Sequence, residues 1–270
     1  MNRYVHGYSP REAQRLREQS EILETLLHGD TAYAPGSTVL EAGCGVGAQT
    51  LILARRSPGA RITSIDISPE SLEKAKRLAA DNGASNVQFM QADILDLPFK
   101  ADRFDHIFVC FVLEHLADPV AALVALKRVL KPGGSLTVIE GDHGACVWHP
   151  ETEAALAVWH CLIREQQRLG HNPLIGRRLS PLLEAAGYTV QEVAPRYIYA
   201  DGRHRQLLID GVTKIIIPMV ATAKSAALAS GLIDENTWQA GVRDFEAVAG
   251  SAAGTFFYSW FKGTARKPAR

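Results

Sequence analysis

The chain has 270 residues, and its 29 basic and 29 acidic residues give a formal net charge of zero at pH 7. This length suits one α/β domain with an attached lid, or two small domains, and we take a single domain with insertions as the default. The balanced charge, with no Lys/Arg run longer than a pair, argues against a nucleic-acid partner.

The N-terminal residues indicate no secretion signal, and the apolar segments indicate no membrane span. No apolar stretch follows the basic start, and the most apolar segment outside the core, residues 215–220, is interrupted by Pro218. The four cysteines, at positions 44, 110, 146 and 161, are isolated from one another, as expected for reduced thiols. We therefore expect a soluble, cytoplasmic protein.

In chain order, the pattern predicts a helix over about 10–28 and then strands alternating with helices, which is typical of a doubly wound, mostly parallel sheet. Ser68-Pro69 and Asp118-Pro119 predict the N-caps of two helices. Further helices are predicted at about 151–169 and 180–186. The predicted strands cover residues 37–42, 61–66, 87–91, 104–110, 134–140, 188–194 and 255–265.

About fifty residues rich in Ala, Leu and Ile separate the last two predicted strands. They are too many for an ordinary loop, so we predict a helical lid with a break at Pro218 and an N-cap at Asp234. The expected domains are an N-terminal flap and helix (1–36), a core (37–202 with 251–270) and the inserted lid (203–250).

A glycine-rich turn follows the first strand, in the sequence VLEAGCGVG of residues 39–47. Gly43, Gly45 and Gly47 allow positive φ and bring a ligand close to main-chain N–H groups at a helix N-terminus. Gly43, Gly45 and Ala48 also satisfy the dinucleotide pattern G-x-G-x-x-G/A, so NAD is an alternative ligand. Glu41 favours a cationic ligand over NAD. Its carboxylate would repel the pyrophosphate of NAD but can accept a hydrogen bond from an ammonium group.

Acidic residues end the second and third strands. Asp66 can take both hydroxyls of a ribose with its two oxygens, and Ile67 beside it can pack on an adenine. Asp93 can accept a hydrogen bond from the exocyclic amine of adenine while Ile94 covers the ring. Each acid has an alternative role as a helix N-cap or turn former.

Several motifs in residues 37–140 occur in the order and spacing of a known family. VLEAGCGVGAQT, SIDISPESLEKAK, FMQADILDLPF, VLEHLADP and LKPGGSLTV together resemble the motifs of class I S-adenosylmethionine-dependent methyltransferases of the small-molecule type. The resemblance implies a three-layer, seven-stranded sheet with a C-terminal antiparallel hairpin, and S-adenosylmethionine as cofactor. Its implied contacts are Glu41, Gly43, Asp66, Ile67, Asp93 and Ile94, to which we add Gly45, Gly47 and Cys110.

Two histidines are candidate general bases. His115 follows the fourth strand, where the resemblance places the methyl group, and His143 follows the fifth in a polar cluster with Glu140 and Asp142. The alternative for His115 is that it or Glu114 only orients the loop. His143, Cys146 and His149 also suggest a metal site, but their spacing differs from that of standard zinc pairs and no fourth ligand lies nearby, so we predict no metal.

Two residues near the N-terminus are further cofactor candidates. Gln19 lies on the apolar stripe of the first helix, and in related methyltransferases a polar side chain about this far before the glycine loop holds the carboxylate of the cofactor. Its alternative is a local hydrogen bond to the backbone. Tyr8 belongs to an aromatic segment that can close over the cofactor as a flap, and its alternative is ordinary packing on the surface.

The predicted function is methyl transfer from S-adenosylmethionine to an N, O or C acceptor on a small, partly apolar molecule. The alternatives are an NAD-dependent oxidoreductase, a non-catalytic cofactor-binding protein, and an enzyme that couples C-methylation to cyclisation. We expect no nucleic-acid or membrane partner, and the sequence leaves a homo-oligomer open.

Overall fold

The computed structural model describes residues 10–269, with side chains from Gln14 onward. The apolar residues of the central strands are buried, and segments with helical periodicity form the helices between the strands. The strands are β1 (Thr38–Ala42), β2 (Arg61–Asp66), β3 (Val87–Gln91), β4 (Phe104–Cys110), β5 (Leu130–His149), β6 (Thr189–Ala200) and β7 (Thr255–Arg266). The helices are α1 (Pro10–His28), α2 (Ala48–Arg56), α3 (Pro69–Asp81), α4 (Pro119–Val129), α5 (Glu153–Arg168), α6 (Leu179–Ala185), α7 (Arg205–Asp210), α8 (Ile217–Ala221), α9 (Lys224–Ala229) and α10 (Glu235–Gly250).

The strands form one sheet in the order β3-β2-β1-β4-β5-β7-β6. The neighbours from β3 to β5 pair in parallel, and the C-terminal strands are antiparallel. This arrangement confirms the predicted fold class. Ala42 is in register with Ile65 of β2 and Val109 of β4, so the loops that follow these three strands meet at one edge of the sheet.

The predicted helix N-caps are formed as the sequence indicates. Ser68 Oγ accepts from the Ser71 amide at 3.2 Å, Asp118 Oδ1 from Ala121 at 2.9 Å, and Asp234 Oδ1 from Thr237 at 2.9 Å. Each side chain satisfies an amide that the first helical turn leaves without a partner. The helix starts are therefore fixed by local chemistry.

Strand β5 is much longer than the predicted 134–140, because it continues through Asp142 and His143 to His149. The sequence pattern predicts that these two polar residues follow the end of the strand. Both are buried, at 2% and 5% exposure, and both form hydrogen bonds within the fold. A polar side chain that finds such a partner can occupy a buried strand position, so polarity alone did not mark the end of the strand.

The segment 203–250 is helical, as predicted, but Pro218 does not interrupt it. Residues Gly211–Ile216 form a π-helical stretch, and Pro218 lies in the first turn of α8, where its missing N–H is tolerated. Gly211 is required here, because a Cβ atom would lie 2.7 Å from the Phe256 ring.

The chain divides into two compact units. Unit 1 contains the described residues through Ile22, Asp142–Pro173 and Tyr197–Ser259, and unit 2 contains Leu23–Gly141, Leu174–Arg196 and the described residues from Trp260. In unit 1, α5 and α10 approach closely, since a Cβ on Gly241 would lie 2.4 Å from the Ala154 carbonyl oxygen. In unit 2, the core is built from apolar residues of β1, β4, β5, α4 and α6. The predicted domain boundaries stay a prediction.

Candidate active site

The glycine loop of unit 2 has the backbone geometry that the sequence predicts. Gly43, Gly45 and Gly47 have φ values of 78°, 51° and 84°, all in the left-handed region. The Gly43 and Cys44 amides both donate to the Ile65 carbonyl oxygen, at 2.8 and 2.9 Å, which ties the loop to β2. The loop is therefore held as a fixed turn at the start of α2.

Glu41 lies beneath this loop and is 2% exposed. Its Oε2 atom accepts hydrogen bonds from Thr50 Oγ1 at 2.7 Å and Ser64 Oγ at 2.6 Å. Burial raises the pKa of the Glu41 carboxyl group to about 7, although these two hydrogen bonds oppose the shift. A cation bound beside it would favour the ionised form.

Asp66, at the end of β2, binds the loop from the other side. Oδ2 accepts from the Gly45 amide at 2.8 Å and Oδ1 from the Ser68 amide at 2.9 Å. Burial raises the pKa of this carboxyl group, against the effect of those backbone amides. Its predicted alternative as a turn former is thus realised, and its role with a ribose stays a prediction.

The three other residues predicted to contact an adenine differ in exposure. Ile67 is 61% exposed, which is unusual for an isoleucine and leaves an apolar face for a ligand. Asp93 is exposed, and its Oδ1 accepts from the Leu95 amide at 2.8 Å. Ile94 is only 8% exposed and belongs to the core of unit 2, so most of its side chain is already covered.

A short 3₁₀ turn, Leu113–His115, follows β4 and carries the first candidate base. His115 Nε2 lies 3.4 Å from Glu114 Oε1, so the glutamate can orient the imidazole ring. Phe111, just before the turn, has φ 57°, a conformation that costs a non-glycine residue on the order of 1–3 kcal/mol. Cys110 is 8% exposed, and burial raises the pKa of its thiol well above the usual value, so it is not a reactive nucleophile.

Glu140, in unit 2, is completely buried on β5 and holds this turn. Its Oε1 accepts from the Val112 and Leu113 amides at 3.0 and 2.7 Å, and its Oε2 accepts from the Glu114 amide at 3.4 Å. Burial and the Glu114 carboxylate raise the pKa of Glu140 to about 8. The sequence places Glu140 in a polar cluster at the end of the fifth predicted strand. Its spacing from Val112, Leu113 and Glu114 gives no sign that it accepts from their amides.

His143, the second candidate base, lies in unit 1 among aromatic residues. Its Nδ1 atom is 2.5 Å from the Tyr258 hydroxyl, and its carbonyl oxygen accepts from Trp159 Nε1 at 2.9 Å. Burial, reinforced by the Arg15 charge, lowers the pKa of His143 to about 3. An imidazole with so low a pKa is a weak base, so these contacts favour a packing role, and its catalytic role stays a prediction.

Gln19 is buried in unit 1 at 6% exposure, as its place on the apolar stripe predicts. Its Oε1 accepts from Arg15 Nη1 at 2.6 Å. Arg15 lies one helical turn earlier and was not predicted as the partner of Gln19. The i, i+4 spacing was the available signal. Tyr8 lies outside the described residues, and contacts of either residue with a cofactor stay predictions.

Among the described side chains, those of residues 14–269, no three His, Cys, Asp or Glu side chains are grouped so that they could hold a metal ion. No helix in this part of the chain combines the length and apolar character needed to span a membrane.

A family profile described as a methyltransferase domain matches residues 34–187, more than half of the chain, and this range includes the glycine loop, Asp66, Asp93, His115 and Glu140. The glycine loop alone also fits a dinucleotide-binding protein, but the match over residues 34–187 is to a methyltransferase domain.

Two curated relatives align with parts of the chain. An uncharacterized methyltransferase of Schizosaccharomyces pombe is 34% identical over 181 residues, which are 62% of this chain and 63% of the relative. Demethylmenaquinone methyltransferase of Thermus thermophilus is 40% identical over 102 residues, which are 38% of this chain and 46% of that enzyme. The chain spans about half to two thirds of the length of these relatives.

A solved structure extends the likeness over most of the chain. Geranyl diphosphate C-methyltransferase from Streptomyces coelicolor superposes with a TM-score of 0.53 and 16% identity, over 92% of this chain and 78% of that one. At this identity the likeness concerns the fold.

Proposed function

Since the chain belongs to the class I S-adenosylmethionine-dependent methyltransferase family, we propose that it transfers a methyl group from S-adenosylmethionine to a nitrogen, oxygen or carbon atom of a small, partly apolar molecule. The observation that carries this proposal is the pair of acids around the glycine loop. Glu41 is buried beneath the loop and Asp66 accepts from its Gly45 amide, so acidic groups lie beside the loop and occupy one of the donors that a pyrophosphate would require.

The residues around the loop fit this cofactor. A carboxylate has about four acceptor positions, so Asp66 can accept from ribose hydroxyls while it keeps its two backbone amides. The exposed side chain of Ile67 offers an apolar surface to an adenine, and the exposed Asp93 offers an acceptor to its amine. Glu41 is close enough to ionisation at neutral pH to favour a cationic ligand.

The cofactor supplies an electrophilic methyl group when bound, and the chain has to orient the acceptor and manage one proton. We assign proton removal to His115, oriented by Glu114. This help matters for a hydroxyl or an acidic carbon, and less for an amine that arrives deprotonated.

A small, partly apolar acceptor is supported by two relatives. Their names specify demethylmenaquinone and geranyl diphosphate as what they act on, and both molecules combine an apolar part with a polar one. We further propose that the protein acts in the cytoplasm, since its four cysteines are free thiols. We also propose that it acts without nucleic acid, since its formal charge is balanced.

Calorimetry with S-adenosylhomocysteine and with NAD tests the cofactor. We expect binding of the first and none of the second, and the reverse result would identify an oxidoreductase. Incubation with methyl-labelled S-adenosylmethionine and fractionated metabolites of the source organism then tests transfer. Label in a metabolite supports the proposal, a cyclised labelled product identifies coupled cyclisation, and cofactor binding without any labelled product identifies a non-catalytic protein.

A further inference from the structure

One buried side chain binds the whole start of the turn that carries His115. The amides of Val112, Leu113 and Glu114 all donate to the Glu140 carboxyl group, at 3.0, 2.7 and 3.4 Å. The first amides of a helical turn have no partner within that turn, so a group outside it must satisfy them. Glu140 does so from the neighbouring strand, without any capping side chain in the turn itself.

The backbone that enters the turn is strained and is held from the same strand. Phe111 has φ 57°, and its amide donates to the Ile139 carbonyl oxygen at 2.9 Å. A bulky residue keeps such a conformation only where surrounding contacts impose it. Ile139 and Glu140 are consecutive residues of β5, so two adjacent positions fix both Phe111 and the turn that follows.

The turn also contacts the glycine loop. A Cβ atom on Gly43 would lie only 2.4 Å from Val112 Cγ2 and 3.1 Å from Cγ1, so Val112 packs directly on the Gly43 α-carbon. At its other end the turn carries His115. A shift of the turn would therefore move the candidate base and disturb the loop together.

We propose that Glu140 is a positioning residue for methyl transfer, because its carboxyl group fixes the turn from Phe111 to His115 through three backbone hydrogen bonds. This inference rests on the proposed function. Misplacement of a reacting group by about 1 Å can cost about 10²-fold in rate, so the hydrogen bonds affect catalysis without Glu140 touching a substrate.

Two substitutions separate the hydrogen bonds from the bulk of the side chain. Glu140→Gln keeps an amide oxygen that can accept from Val112 and Leu113, whereas Glu140→Ala removes every acceptor. Asp105→Ala is the matched control, because Asp105 also accepts from a backbone amide, that of Thr38 at 2.9 Å, but lies at the opposite end of the sheet.

Three measurements are made on each full-length variant: hydrogen exchange of the peptide covering 111–116, calorimetric affinity for S-adenosylhomocysteine, and turnover of labelled cofactor with the acceptor fraction that the parent methylates. For Glu140→Ala we expect exchange to accelerate by roughly tenfold or more and turnover to fall by about 10²-fold, with a smaller loss of affinity. Glu140→Gln should stay within about tenfold of the parent in turnover. Asp105→Ala should melt earlier yet keep parental turnover.

The inference is overturned if Glu140→Ala exchanges and turns over like the parent, if Gln restores nothing, or if the Asp105 control loses turnover in proportion to its melting temperature. Failure of the proposed function gives a different result: the parent itself would bind no S-adenosylhomocysteine and transfer no label. In that case the exchange rates still report whether Glu140 holds the turn.

Discussion

A carboxylate offers about four acceptor positions, and Asp66 uses two of them to fold its own surroundings. The Gly45 and Ser68 amides occupy one position on each oxygen. The two hydrogen bonds leave acceptor capacity on both oxygens. Asp66 can therefore accept from the loop amides and from ribose hydroxyls at the same time, so its turn-forming role and its proposed binding role do not exclude each other.

The proposed ribose contact predicts that cofactor affinity falls more in Asp66→Ala than in Asp66→Asn. Asp66→Ala should weaken binding of S-adenosylhomocysteine by about 1–3 kcal/mol, because charge-assisted hydrogen bonds to a ribose are lost. Asp66→Asn should lose less, since the amide oxygen still accepts. Calorimetry measures both variants, with Asp81→Ala at the exposed end of α3 as the control. Parental affinity in Asp66→Ala would refute the ribose assignment.

His115 provides the second test at this scale. If it removes a proton from the acceptor, His115→Gln should lower turnover by about 10²–10⁴-fold while cofactor affinity changes little. The parental rate should rise with pH through a single ionisation that the variant lacks. His160→Gln, on the exposed face of α5, controls for loss of an imidazole. Unchanged turnover and an unchanged pH profile in His115→Gln would indicate an acceptor that needs no base.

At the scale of the elements, the glycine loop and the turn after β4 form one packed arrangement. Gly43 and Gly45 both have positive φ, but they differ in what surrounds them. A Cβ on Gly43 would lie 2.4 Å from Val112 Cγ2, whereas one on Gly45 would meet no atom within 4 Å. Conformation explains both glycines, and close packing explains only Gly43.

We therefore predict different costs for the two alanine substitutions. Each should lose about 1–2 kcal/mol of unfolding free energy for the left-handed conformation. Gly43→Ala should lose about 1–3 kcal/mol more through overpacking against Val112. Urea denaturation of the cofactor-free protein measures the difference, and Gly45→Ala is the matched control. Equal losses would mean that Val112 moves aside without cost.

Local signals predicted the elements well where local chemistry decides them. Ser68, Asp118 and Asp234 cap helices where the sequence places the caps, and strands β1 to β4 lie near their predicted bounds. The sequence could not predict that β5 continues past His143, because that depends on the distant hydroxyl of Tyr258. Nor could spacing show that Glu140 caps residues 26–28 positions earlier.

At the scale of the whole molecule, buried ionisable groups of opposite kinds determine how stability depends on pH. Burial lowers the pKa of His28 to about 4 and that of His143 to about 3. Burial raises the pKa of Glu41 to about 7 and that of Glu140 to about 8, the latter with help from Glu114. All four groups are therefore most stable as neutral species in the folded chain.

The sign of each contribution follows from which state binds more protons. The histidines stay neutral when folded but take up protons when unfolded below about pH 6.5, so their contribution is present above that pH and is lost as the pH falls towards 4 and 3. The glutamates stay protonated when folded but ionise when unfolded above about pH 4.5, so their contribution is lost as the pH rises towards 7 and 8. Between these limits the two effects oppose each other.

We therefore predict that the cofactor-free protein melts at its highest temperature between about pH 4.5 and 6.5, with a decline on both sides. Glu140→Gln, which cannot ionise, should flatten the decline on the alkaline side, and His28→Gln should flatten the decline on the acid side. Differential scanning fluorimetry from pH 3.5 to 9 at constant ionic strength measures all three proteins. A parental melting temperature that rises steadily up to pH 9 would contradict the buried, neutral glutamates, because ionised and well-paired carboxylates would give that trend.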